Sequence, residues 1–515
     1  MAQQKVNPYV IALTVMLATF MEVLDTSVAN VALPHIAGSL SVTVTDSTWV
    51  LTSYLAANAI VLPITGWLSQ KIGRKRYFIG SIVLFTISSA LCGLSFDFYF
   101  LLVARAIQGF AGGGLQPVSQ AILMESFPEK KRGMAMSIFS IGVIFAPILG
   151  PVIGGWLTDQ YSWRWVFYIN VPVGILATIL TMILVEDPPY ARANSKLKID
   201  YLALSFIFIG IASLQIMLDQ GQNKDWFNSN LIVILALFAF FFISMFIIKN
   251  AFSKEPIIKF KLFKDVNYSI GVFLMFMTGF VLYSSLALLP ILVQTLMGYD
   301  ALKAGYVIAP GGVASLMIAP IIGKLSNKVN IKVLVGAGIL LVAYSLHLMS
   351  EFNLTASFDV FAWARIIMGF GLPAMFIPIN LVAYKFLKKE DMGDASGVIN
   401  FARNIGGSIG ISFAATMLQR REVFHRDALV QNFSQSSVIF QNFLDSTRQY
   451  LVTHGFSFAD SYHAAIDLMN NLLLAQSAIM GYQDVFHLII YFTLPLFFVI
   501  LFIRTKQTKD KRVTL

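Results

Sequence analysis

The sequence predicts an all-α membrane protein with fourteen spans: two six-helix halves and a helix pair inserted between them. Three observations carry this. The chain is 57% hydrophobic and 12% charged, where soluble domains carry about 25% charged residues, and its mean hydropathy is +0.73. Apolar runs recur along its 515 residues, each near the ~20 residues that a helical span requires. Two short motifs also occur twice in nearly the same register.

The runs fall at 9–33, 48–69, 77–96, 98–123, 134–157, 164–185, 200–219, 229–248, 268–296, 304–323, 332–350, 359–384, 397–418 and 484–503. The first is too long for the apolar region of a signal peptide and lacks a small-residue cleavage site after it, so it is expected to stay as a span. An even number of spans puts both termini on one side. Of the 37 lysines and arginines, 27 fall on that side, in loops such as Lys71–Arg76, Lys130–Arg132 and Lys324–Lys332 and in the tail. Seven fall on the other side, and three (Arg105, Arg365 and Arg403) lie within spans. The bias of basic loops towards the cytoplasm therefore predicts two cytoplasmic termini, and it accounts for the net charge of +10 without nucleic acid.

Pro63-Ile64-Thr65-Gly66-Trp67-Leu68-Ser69-Gln70-Lys71 returns as Pro320-Ile321-Ile322-Gly323-Lys324-Leu325-Ser326-Asn327-Lys328. Ala104-Arg105-Ala106-Ile107-Gln108-Gly109-Phe110 returns as Ala364-Arg365-Ile366-Ile367-Met368-Gly369-Phe370. The repeats imply halves at 9–185 and 268–503, with 186–267 carrying the inserted pair and 504–515 forming a basic tail. Parallel repeats of this kind build transporters whose site lies at the midplane between the halves. The longest polar stretch, the outer loop at 419–483, has apolar residues at helix-like spacing, among them Val438, Phe440, Phe443 and Leu444. Asn470, Asn471 and Gln476 argue against a further span there.

Charge inside the spans points to function. Glu22 and Asp25 lie in the first run, where a mid-membrane charge costs about 2.5–3.5 kcal/mol on insertion scales. They are three residues apart and share a helix face with Ala18 and Ala29. Burial disfavours a charged carboxylate, and neighbouring acids titrate as a unit, so the pair is expected to hold a proton. The alternative is a structural hydrogen bond to an adjacent helix. Arg105 is expected to pair with one of these two, read as the only well-embedded acids, and separation from it would act as a proton switch. Arg365, its repeat copy, has no embedded acid in its half and is expected to be structural. Arg403 lies about two turns from the cytoplasmic end, close enough to snorkel.

Gly142, Ala146, Gly150 and Gly154 make a smooth packing face, while Pro147 and Pro151 favour a kink. Tyr54, Tyr283, Phe376 and Asn380 are candidate substrate-lining residues. Gly323-Lys324 is preceded by Ile318 and followed by Leu325, so it forms no phosphate loop. An ion gradient is the expected energy source, worth about 2.3 kcal/mol per charge per 100 mV. Cys92 is the single cysteine, and His35, His347, His425, His454, His463 and His487 show no metal-binding spacing, so neither metal nor cofactor is expected.

Several of these stretches resemble a known family. Gly66 to Arg76, with Gly73 and Arg74, resembles the loop signature of the major facilitator superfamily. Gln70 stands where that signature carries an acid, which questions a salt-bridge gate at this residue. Leu24-Asp25-Thr26-Ser27-Val28-Ala29-Asn30-Val31-Ala32-Leu33-Pro34 is similar to the first-helix signature of fourteen-span drug:proton antiporters of the EmrB type; Glu22 stands outside it. The Arg105 stretch resembles the superfamily's arginine motif, which implies a part in proton transfer. Gly150-Pro151-Val152-Ile153-Gly154-Gly155 resembles the antiporter motif, and Asn400 to Gly410 resembles the same branch.

The resemblance covers most of the chain. It implies the major facilitator fold and a proton-coupled exporter of amphipathic drugs or toxic organic compounds, working by alternating access in a bacterial inner membrane. It also implies a periplasmic membrane-fusion adaptor (EmrA-like) and an outer-membrane channel as partners, with 419–483 as the docking segment. A nutrient transporter is the nearest alternative, which the antiporter motif disfavours. A receptor or lipid-modifying enzyme is the other, and no clustered catalytic set supports an enzyme.

Overall fold

The computed structural model describes residues 7–194, 197–431 and 438–504; residues 432–437 of the outer segment and the basic tail from 505 lie outside the described residues. Every regular element among the described residues is helical. Short 3-10 turns aside, the helices in order are α1 (Pro8–Ser39), α2 (Val44–Ser47), α3 (Trp49–Ile72), α4 (Arg74–Gly93), α5 (Phe98–Gly112), α6 (Leu115–Ser126) and α7 (Arg132–Gln160). Then come α8 (Trp165–Tyr168), α9 (Asn170–Leu184), α10 (Tyr201–Gln220), α11 (Asn230–Ala251), α12 (Val266–Thr295) and α13 (Ala301–Leu325). The chain continues with α14 (Ile331–Ser350), α15 (Phe358–Ala383), α16 (Met392–Val430), α17 (Val438–Thr453), α18 (Phe458–Thr493) and α19 (Leu496–Val499).

Thirteen helical segments among the described residues are long and apolar enough to cross a membrane. The chain is a multi-pass membrane protein. The run expected at 397–418 lies in α16, whose polar Asp394, Asn400, Arg403 and Ser408 are buried among other helices. The run expected at 98–123 is two helices, because α5 stops at Gly112 and α6 starts at Leu115. A side chain at Gly113 would sit 2.7 Å from the Asn58 carbonyl of α3, and one at Gly114 would sit 2.6 Å from the Tyr77 hydroxyl of α4.

Local sequence sets the helix starts. Asp97, Asp200, Asp265 and Asp300 cap α5, α10, α12 and α13, their carboxylates accepting the N–H of Phe100, Ala203, Tyr268 and Lys303. Capping by the Lys303 N–H holds the Asp300 carboxyl below its ordinary value. Apolar side chains such as Leu237, Phe240 and Phe241 on α11 face outward, as lipid-facing positions should.

Helices α1, α3–α7 and α9 form one packed group: α1 lies along α7, α3 along α5, and α4 against α9. Helices α12–α16 and α18 form a second, with α12 along α16 and α14 along α15 and α18. The groups meet along two seams, α7 with α13 and α3 with α16, and α6 also touches α16. Helix α10 pairs with α11 and packs on both α3 and α16. Among the described residues the 419–483 segment is largely helical: α16 and α18 run on beyond the expected spans, and α17 packs on α18 around Leu444, Ala465 and Met469.

Candidate functional site

Helix α1 delivers Asp25 and α5 delivers Arg105 to one enclosed point. Arg105 Nη1 donates to Asp25 Oδ2 at 2.6 Å, and both side chains have no exposed surface. Arg105 also donates to the Gln108 side chain at 2.7 Å and to the Val50 carbonyl at 3.1 Å. Asp25 Oδ1 accepts from Gln108 at 3.0 Å and from Asn170 of α9 at 2.7 Å. The Tyr54 ring lies 4.3 Å from the guanidinium, a cation–π contact. Every oxygen of this carboxylate is occupied.

Glu22 shares none of these donors to Asp25 and belongs to a different hydrogen-bond network. Its carboxylate accepts from Tyr54 Oη at 3.2 Å, from Asn58 Nδ2 at 3.1 Å and from Gln116 Nε2. One turn of helix therefore separates two sites with distinct partners, and Tyr54 touches both. Two of the donors to Glu22 are themselves held from the second helix group. Arg403 of α16 donates to Gln116 Oε1, and Asn404 donates to Asn58 Oδ1 at 3.1 Å. One turn further along α6, Gln120 donates to Asn380 of α15 and accepts from Asn400 of α16 at 2.6 Å. Arg403 does not snorkel: it is 3% exposed, buried at the seam over the Phe376 ring and beside Tyr283.

The expectation that Glu22 and Asp25 are the only embedded acids also needs correction. Asp394, at the start of α16, is 4% exposed and accepts from Gln70 at 2.8 Å and Lys259 at 2.7 Å. Here the acid absent from the loop signature at Gln70 is supplied from across the seam. Burial disfavours the Lys259 ammonium, but Asp394 and Asp391 outweigh it and raise its pKa above the ordinary value. Gly66 is pressed against Asp394, and Gly133 of α7 against Gly323 of α13. Gly73 takes φ +96° in the turn between α3 and α4, and Arg74 pairs with Glu125 within its own group. Asp187 accepts the Lys75 N–H at 2.8 Å, and burial pushes its carboxyl above the usual value. Asp219, at the end of α10, accepts from Gln215, which also donates to Ser408 of α16. Next to it, Gln220 donates to Thr52 of α3.

The remaining expected residues fall into place around this core. Ser27 donates to the Pro147 carbonyl at 2.7 Å. Gly150 and Gly154 lie against Ser27 and Val28, and Pro151 lies near Gly305 of α13. Gly155 faces open space, so it is no part of that packing face. Phe376 stacks on Phe139 of the first group, 6.1 Å between centroids. Arg365 is buried, with Ser285 and Met368 as partners and no acid among the described residues. The histidines are not all scattered, since folding brings His347 and His487 together. Sequence reasoning missed Gln108, Gln116, Gln120, Asn58, Asn170 and Asn404; amides inside spans, some four residues apart, were the available signal.

Two packed helix groups with buried charge and cross-seam amides between them define a multi-pass membrane protein of the transporter type. A model of the Major Facilitator Superfamily matches residues 15–411. The multidrug export protein EmrB of Escherichia coli (strain K12) is 37% identical over 424 residues, 82% of each chain. The fatty acid resistance protein FarB of Neisseria gonorrhoeae is 35% identical over 477 residues, 92% of each chain. Among solved structures, the human organic anion transporter MFSD10 (TETRAN) matches in fold, with a TM-score of 0.58 over 95% of this chain and 99% of that one at 12% identity. The chain belongs to the major facilitator superfamily, in its EmrB-like branch.

Proposed function

We propose that the protein is a proton-coupled antiporter that exports amphipathic organic compounds by alternating access. The observation that carries this is the dependence of Glu22 on the opposite helix group: Gln116 and Asn58 donate to it while Arg403 and Asn404 hold them. Rocking α16 away from α3 and α6 strips those amides of their second partners and changes how well the Glu22 charge is solvated. An unpaired buried charge is costly, so Glu22 has to take a proton before the groups can part. A cationic substrate near Glu22 favours its ionised form and displaces that proton. Tyr54 serves both states, because a phenol hydroxyl can donate to a carboxylate or accept from a carboxylic acid. Asp25, locked by Arg105, Gln108 and Asn170, keeps Arg105 and Tyr54 in place beneath the exchanging acid. Tyr283, Phe376 and Asn380, at the same seam, are the proposed substrate contacts.

The two groups are the proposed homologous halves, 9–185 and 268–503, with α10 and α11 inserted and α16 supplying the fourteenth span. The repeated motifs support this, ending α3 and α13 and recurring within α5 and α15. The basic end faces the cytoplasm on this reading, with both termini, in a bacterial inner membrane. The helical outer segment then projects into the periplasm, where an EmrA-like adaptor leading to an outer-membrane channel would dock, as the likeness to EmrB suggests.

Inverted vesicles acidified inside should accumulate a lipophilic cationic dye when they carry the protein. Collapsing the pH gradient and the membrane potential should release it. Accumulation that survives the collapse of both would rule out coupling to protons.

A further inference from the structure

At the end of the bundle opposite the basic loops, α14 finishes at Ser350 and α18 passes beside it. His347 and Glu351 are four residues apart and share one face of this helix end. His487 comes from α18. One ligand atom from each of the three lies within 4.8 Å of the other two. His487 Nδ1 is 3.1 Å from the Gln483 carbonyl, which can only accept, so Nδ1 carries the proton and Nε2 the lone pair. Ser350 Oγ sits 3.3 Å from that Nε2 but spends its hydrogen on the His347 carbonyl at 2.7 Å, leaving the lone pair uncommitted. The frame beneath is stiff. Gln483 donates to the Phe352 carbonyl at 2.7 Å, and the Phe352 ring packs edge-on against Phe361 and Phe486.

We propose that His347, Glu351 and His487 form a binding site for a divalent transition ion of the zinc class. Two neutral imidazoles and a carboxylate are a zinc-type donor set, with a fourth position left to water. Magnesium and calcium prefer oxygen-only shells, so they are poor occupants. Zinc–nitrogen bonds of about 2.0–2.1 Å require the donor atoms to draw closer than they stand. His347 and Glu351 are exposed, which lets their side chains make that movement. The ion would clamp α14 to α18, the helix that carries the outer segment. The proposal is independent of the transport reading.

The test uses the full chain, purified without a polyhistidine tag and titrated with zinc chloride by calorimetry. One equivalent should bind, with at least roughly tenfold weaker binding in His347→Ala or Glu351→Gln. Both residues are on the surface, so loss of binding would not reflect loss of fold. Cobalt should give the intense visible bands of a tetrahedral site in the wild type and lose them in His347→Ala. The site is wrong if the His347→Ala/His487→Ala double variant titrates like the wild type, or if excess magnesium displaces zinc.

Discussion

Asp25→Asn should abolish dye accumulation driven by a pH gradient in inverted vesicles, while the protein still inserts and can be purified. The substitution keeps the shape of the side chain, and asparagine can still accept from Gln108 or Asn170. What it removes is the charge opposite Arg105, whose side chain has no exposed surface. Removing one partner of a buried ion pair costs about 3–5 kcal/mol, because the other charge is left uncompensated. The Arg105 guanidinium would then seek another acid, and Glu22 is nearby through Tyr54, which touches both. An arginine drawn to Glu22 would hold that carboxylate ionised and block its protonation. A lower melting temperature should accompany the loss of transport. Wild-type uphill accumulation by Asp25→Asn would show that the pair is dispensable. Arg105→Lys should not restore function to the position, since an ammonium cannot reach Asp25, Gln108 and the Val50 carbonyl in the geometry of a guanidinium.

The second large effect is expected at the basic end, where glycines bring the helix groups together. A side chain at Gly66 would stand 2.4 Å from the Asp394 Cα, and one at Gly133 would stand 2.2 Å from the Gly323 carbonyl oxygen. Both obstacles are backbone and cannot rotate away. Overpacking of this kind costs about 1–3 kcal/mol, and each 1.4 kcal/mol shifts a population roughly tenfold. Gly66→Ala and Gly133→Ala should therefore disfavour closure of this end and cut transport by roughly tenfold or more. A cysteine at Gln70, which donates to Asp394 in the closed arrangement, should become more reactive to a water-soluble thiol reagent in either variant. Unchanged transport together with unchanged labelling would mean that closure of this end is not part of the cycle.

The helices were legible because lipid imposes length and apolarity on each span, and those constraints are written residue by residue. The repeated stretches at Pro63 and Pro320 fall in α3 and α13, and those at Ala104 and Ala364 fall in α5 and α15. The break between α5 and α6 was less visible, since Gly113 and Gly114 sit inside an apolar run that continues on both sides of them. For the proposed site, charge in a span singles out Glu22, Asp25 and Arg105, and all three are buried in the structure. Their partners are not singled out, because which helix faces which is a property of packing. Gln116 and Gln120 lie four apart on α6, as Asn400 and Asn404 do on α16, yet nothing local says that these two faces meet. Arg403 was misplaced by counting turns from a helix end without knowing that α16 is enclosed. His347 and His487 are distant in sequence, and only the packing of α14 on α18 unites them.

If Glu22 exchanges a proton for substrate, substrate binding must release protons. The purified protein is placed in weakly buffered detergent solution, and a lipophilic cationic dye is added while pH is followed. The wild type should release protons in step with binding, and Glu22→Gln should bind the dye without releasing any. Equal release from Glu22→Gln, or binding to the wild type with no release at any pH from about 5 to 9, would rule out proton exchange at Glu22.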